Sequence, residues 1–336
     1  MKKKFIIVIL IIAAIVAAVI FFLPMIQEML AYNKVNNEQT VEACDSYEKD
    51  WPEGKHIEDV LYMRVQIAKD EGTCINEICK YLEKYPDGKY VKEVNNRWDE
   101  IWDKEIKKYE ATEKSLASAD GLDMMQEMLQ YMKRERINTL LVTCNPTLDI
   151  KDFDEYDEDT QLLMQRTNET SLPYKEGIVS VKSNYDTSSL EALNNLVVSE
   201  LQQHLNQVFS TDFIKVVSTD KTKDEMKAKM PTATFDYKIN NIEMAIGDKP
   251  YPQIWSYPAT EDDEENPDGF LLGLYVDINI NFSIPGSPKT YSDMCSSEIS
   301  DYLEQVKNLN DGYKEMTTFL LQDQMAKIAK KIGLTL

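Results

Sequence analysis

Residues 272–286 read LGLYVDININFSIPG, and this stretch decides the class of the fold. Leu272, Leu274, Val276, Ile278, Ile280, Phe282 and Ile284 fall on one side of an extended chain. Gly273, Tyr275, Asp277, Asn279, Asn281 and Ser283 fall on the other. Such a period of two marks a strand with one buried and one wet face, the pattern of an antiparallel sheet. Pro285–Gly286 closes it, because proline cannot donate to a ladder and glycine readily turns the chain. Upstream, Ala233, Phe235, Tyr237 and Ile239 alternate with Thr234, Asp236 and Lys238, a second strand of the same kind. Shorter β-type runs lie at Gly177–Ser183 and Phe213–Val217.

Around these strands the period changes to that of helices. Leu190, Leu193, Val197, Leu201, Leu205 and Val208 share one helical face, with Ser188 and Glu191 forming a capping box at its start. Two further helices are predicted near 296–309 and 313–332, the last stopped by Gly333 after Lys330 and Lys331. Residues 171–336 are therefore expected to form an α+β domain, a mostly antiparallel sheet with helices packed on its apolar face.

The preceding part is helical and repetitive. Residues 47–56 read YEKDWPEGKH and residues 81–90 read YLEKYPDGKY, an offset of 34. Tyr47 matches Tyr81, Trp51 matches Tyr85, Pro52 matches Pro86, Gly54 matches Gly88 and Val60 matches Val94. Each copy is a helix that ends at an aromatic residue, a Pro–x–Gly turn, and a new helix. Over about residues 37–110 the stretch resembles the tetratricopeptide-like repeats of bacterial envelope proteins. It departs from them at Tyr47 and Tyr81, where that pattern prefers a small residue. The resemblance implies stacked helical hairpins over 33–112 that serve as a binding scaffold. Val94, Trp98, Ile101, Trp102 and Ile106 continue the pattern as a core stripe, as do Met125, Met128, Leu129 and Met132 after the break at Asp120–Gly121. Residues 113–170 read as a helical segment followed by an acidic linker, with seven acids between Asp149 and Asp159. That run lacks the central glycine and the twelfth-position glutamate of a calcium loop.

The chain begins with three lysines, Lys2–Lys4, as a tail of residues 1–4. It then runs without a charge over 5–26, roughly 33 Å as a helix against about 30 Å of bilayer hydrocarbon. The span exceeds the apolar core of a cleaved signal peptide, so an uncleaved single-pass anchor is expected. The lysines put the N-terminus in the cytoplasm and the bulk of the chain outside, in the periplasm or the extracellular space if the source is bacterial. Net charge is −21, and without residues 1–30 it is about −23. Such a surface repels phosphate backbones, which argues against a nucleic-acid partner. Five cysteines are too few and too scattered for a disulfide framework, so buried thiols are expected.

No nucleophile elbow, phosphate loop, dinucleotide fingerprint or zinc motif occurs, and the two histidines, His56 and His204, lie far apart. No catalytic residue, cofactor or metal is predicted. One loop differs in texture: residues 250–258 read PYPQIWSYP. Tyr251, Ile254, Trp255 and Tyr257 are spaced by stiffening prolines and followed by an acidic run from Glu261 to Asp268. These four residues are the candidates for ligand or partner binding by stacking, unless they fold back onto the sheet. The expected function is a membrane-anchored, non-enzymatic scaffold or adaptor that binds a protein partner. The alternative is a ligand-binding or sensory exterior domain using loop 250–258, and a hydrolase ranks third.

Overall fold

The computed structural model describes residues 22–112, 114–149, 158, 185–245, 270–302 and 309–334. The chain divides into two compact units, Met1–Lys107 with Ser210–Phe213, and Lys108–Phe209 with Ile214–Leu336. The architecture is α+β, with helices and one five-stranded sheet.

The first unit is helical. Helix α1 covers 22–38, α2 is Val41–Asp50, α3 is Ile57–Ile67, α4 is Glu71–Lys84, and α5, Val91–Ala111, begins here. Two N-termini are fixed by side chains: Thr40 accepts from the Ala43 N–H at 3.2 Å, and Asp70 accepts from the Thr73 N–H at 2.8 Å. The duplicated motif is a duplicated joint. The Tyr47 hydroxyl donates to Glu28 at 2.7 Å and accepts from the His56 N–H at 3.3 Å. The Tyr81 hydroxyl donates to Glu58 at 2.7 Å and accepts from the Tyr90 N–H at 3.0 Å. Both tyrosines are buried, so each hydroxyl needs these partners. Gly54 and Gly88 leave room for the joint. A Cβ on Gly54 would lie 2.7 Å from the Tyr47 hydroxyl, and one on Gly88 2.6 Å from that of Tyr81.

Two further features define this core. Trp98 and Trp102 are fully buried with ring centres 5.5 Å apart, and Phe213 sits 4.5 Å from Trp102. Arg64 and Glu77 are also buried and form a bidentate pair, Nε–Oε2 at 2.7 Å and Nη2–Oε1 at 2.9 Å, with Asp45 on the remaining nitrogen. Burial pushes the Glu77 carboxyl up, but the Arg64 guanidinium outweighs it and holds the group below its ordinary value.

The second unit holds α6 (Ala119–Glu135), β1 (Thr139–Asp149), α7 (Thr187–Val208), β2 (Lys215–Ser218), β3 (Thr232–Ala245), β4 (Phe270–Ser283), β5 (Thr290–Tyr302) and α8 (Leu309–Lys331). Strand order is β2-β1-β3-β4-β5. β1 runs parallel to both β2 and β3, while β3–β4 and β4–β5 are antiparallel. The sheet is thus mixed, and the expectation of a mostly antiparallel sheet describes only its β3–β4–β5 half. The parallel half exists because α7 lies between β1 and β2 in the chain, and a parallel neighbour needs a crossover. Leu274, Val276, Ile278, Ile280 and Phe282 of β4 are buried, as are Leu201 and Leu205 of α7 and Leu320, Leu321 and Met325 of α8. The Gln324 amide donates to the Val276 carbonyl and ties α8 to β4.

Several expectations change. The segment 113–170 contains a strand, β1, as well as helix α6. The helix expected near 296–309 begins instead as strand β5, which continues to Tyr302. The cap of α7 is Asp186, accepting from the Ser189 N–H at 2.8 Å, rather than Ser188. The run Gly177–Ser183 lies outside the described residues. Among the described residues no helix is long and apolar enough to cross a membrane, and residues 5–21 of the predicted span lie outside them. All five cysteines are free thiols.

Candidate functional site

Tyr251, Ile254, Trp255 and Tyr257 lie outside the described residues. The chain that carries them leaves β3 after Ala245 and rejoins at Phe270 of β4, and these two residues pair across the ladder.

Within the first unit, α3 and α5 border a cavity of about 420 Å³. Tyr62 and Gln66 of α3 line it on one side, and Glu93, Asn96, Arg97 and Glu100 of α5 on the other. Tyr62 and Asn96 are 34 positions apart, as are Gln66 and Glu100, so equivalent positions of the two copies meet at one groove. Tyr62 stacks on Tyr90 with centres 4.0 Å apart and planes within 10°. The Tyr90 hydroxyl in turn donates to Asp59 at 2.7 Å, and Lys89 pairs with the same carboxylate. Burial pushes Asp59 up, yet Lys89 and Tyr90 outweigh it and hold the carboxyl below the ordinary range. Tyr62 is held by this stack, while Gln66, Asn96 and Arg97 are exposed along the wall. Arg97 reaches Glu100 at 3.4 Å. An aromatic face, two amides, a guanidinium and two carboxylates can hold peptide groups and charged side chains. The lining includes no serine, cysteine or histidine that could act as a nucleophile or base.

Within the second unit a larger cleft, about 620 Å³, lies between α6 and the β4–β5 turn. Asp120, Asp123 and Glu127 line it from α6, Phe282 and Tyr291 from the sheet, and Lys289 from the turn. The Tyr291 hydroxyl donates to Asp293 at 3.1 Å, and Lys331 pairs with that carboxylate at 2.6 Å. Elsewhere on this unit Ser297 donates to Asp323 at 2.6 Å, while Lys327 donates to Ser297 at 2.8 Å and pairs with Asp323 at 2.7 Å. Burial raises the Asp323 carboxyl, but the hydrogen bonds from Lys327 and Ser297 prevail and lower it. The lysine here is spent on a carboxylate, an arrangement that holds α8 to β5 rather than one that activates the serine. His204 is buried on α7 with neither ring nitrogen hydrogen-bonded, and among the described residues no three His, Cys, Asp or Glu side chains could hold a metal.

Sequence reasoning missed the α3–α5 groove because exposed polar residues carry no periodic signal. The 34-residue offset was the one cue that could have located it.

No protein-family description matches the chain. No curated protein matches it either. Among solved structures it is similar to a neuraminyllactose-binding hemagglutinin homolog from Helicobacter pylori, at 14% identity and a TM-score of 0.33. The likeness covers 58% of this chain and 83% of that one. At that score it defines neither a fold nor a ligand.

Proposed function

We propose that this chain is a single-pass, membrane-anchored scaffold on the extracytoplasmic side, whose tetratricopeptide-like helices hold a protein partner in the α3–α5 groove. The observation that carries this reading is the groove itself, where equivalent positions of two copies of one motif face each other across about 420 Å³. Stacked helical hairpins present such surfaces repeatedly, and they recognise extended or helical segments through side chains on rigid elements. The polar lining suits a segment with exposed backbone and mixed charge.

The test is quantitative recovery of partners from solubilised membranes with the full chain and with a Gln66→Ala, Asn96→Ala, Arg97→Ala variant. These three side chains are exposed, so the fold should be unaffected. A partner retained by the parent and lost by the variant supports the reading. A partner held equally by both places the contact elsewhere, and recovery of no specific protein ends the scaffold proposal.

A ligand-binding exterior domain is the second reading, and the cleft beside α6 favours it. Its volume of about 620 Å³ is in the range of small-molecule sites. Under this reading Asp123→Asn, at an exposed lining residue, should weaken binding of a screened ligand in calorimetry while leaving the thermal midpoint near that of the parent.

A further inference from the structure

The described start of helix α1 is apolar and exposed. Phe22, Leu23, Met25, Ile26, Met29 and Leu30 are each between 49% and 63% exposed, and every described residue before Glu28 is exposed. At about 3.6 residues per turn these six side chains fall within an arc of about 160°. The opposite side of the helix packs into the first unit through Glu28, Ala31, Tyr32 and Val35. Six large apolar side chains on one arc form a patch that water disfavours, and something of matching chemistry must cover it.

The adjoining sequence identifies the cover. From Phe5 to Phe21 the chain carries no charge, and Lys2–Lys4 precede that run. A stripe that continues an uncharged stretch of this length meets the same apolar medium. Glu28 is no obstacle, since it is turned to the opposite side. There it accepts from the Tyr47 hydroxyl at 2.7 Å.

We propose that the bilayer covers this stripe as far as Leu30, so that lipid contact on one side of α1 extends a full turn past Ile26 while Glu28 anchors the other side to the helical unit. This rests on the membrane-anchor reading and adds to it the position and obliquity of the boundary. Lipid contact ends about 6 Å further along the axis than Ile26, where the apolar run stops. The first helical hairpin then stands at the membrane surface.

The test uses the full chain reconstituted in phosphatidylcholine vesicles, with a photoreactive p-benzoylphenylalanine placed at Ile26, Leu30 or Asn37 in turn. Asn37 is exposed but lies beyond the stripe. Lipid adducts at 26 and 30, and their loss at 37, are expected. Adducts at 26 without adducts at 30 overturn the proposal and leave the anchor intact. An absence of lipid adducts at both positions overturns the anchor as well. Cross-links from Leu30 to a second copy of the chain would replace lipid with a helix–helix contact and refute the proposal.

Discussion

Tyr81 is wholly buried, and its hydroxyl is satisfied by one carboxylate and one backbone N–H. Removing the oxygen leaves Glu58 and the Tyr90 N–H short of a partner in a partly buried place. Tyr81→Phe should therefore cost about 1.5–3 kcal/mol, the range for hydrogen bonds to charged groups, read as a lower urea midpoint with an unchanged slope. Arg64 and Glu77 make a sharper case, because both ends are charged and buried. Arg64→Ala should cost about 3–5 kcal/mol, since it strands a buried carboxylate. The double replacement Arg64→Met, Glu77→Leu should cost far less, because no charge is left behind. The pair also sets an acid limit. The Glu77 carboxyl lies below its ordinary value in the fold and near about 4.3 when unfolded. Its contribution is complete above that unfolded value and fades as pH falls through the folded one. Urea midpoints at neutral pH and at about pH 3.5 should differ more for the parent than for the double variant.

Elements explain what the sequence revealed and what it hid. β3 and β4 were legible because each buries one face only, so Phe235 and Tyr237, or Ile278 and Ile280, alternate with wet residues. β1 was not, because Leu140, Leu141 and Val142 are consecutive and all buried, which is the mark of a strand covered on both faces and erases the period of two, and Pro146 follows. That proline is tolerated beyond Val142, where β2 has ended and β1 has a neighbour on one side only. The end of β5, from Ser296 to Tyr302, was read as the start of a helix because this stretch (SSEISDY) is largely polar, with Ile299 its one β-branched residue. The Pro–x–Gly turns were fully legible as turns, but not the reason for the glycine. Gly88→Ala should cost about 1–3 kcal/mol by crowding the Tyr81 hydroxyl and the Glu58 carboxylate. Adding Tyr81→Phe should cost less in that variant than in the parent, a non-additivity that a double-mutant cycle on urea midpoints would reveal. Of the candidate sites, the groove could be found from the repeat offset, whereas the aromatic stretch at 250–258 was conspicuous only by composition.

At the scale of the molecule, charge dominates. The chain carries −21 at neutral pH, and its isoelectric point is about 4.6. Self-repulsion keeps copies apart until protonation removes it, so light scattering from detergent-solubilised protein should peak near pH 4.6. A scattering curve flat across that value would mean that apolar contacts, not charge, govern association. The two tyrosine joints carry a last consequence, for how such a chain can evolve. Glu28 and Tyr47 are separated by 19 residues, Glu58 and Tyr81 by 23. The difference appears in the helices that bear the tyrosines, 10 residues in α2 and 14 in α4. Four residues are close to one turn, so an insertion of that size returns the tyrosine to nearly the same bearing. Copies of the module can thus drift in length by whole turns while the latch between them is inherited unchanged, which is how a repeat outlives the similarity of its sequence.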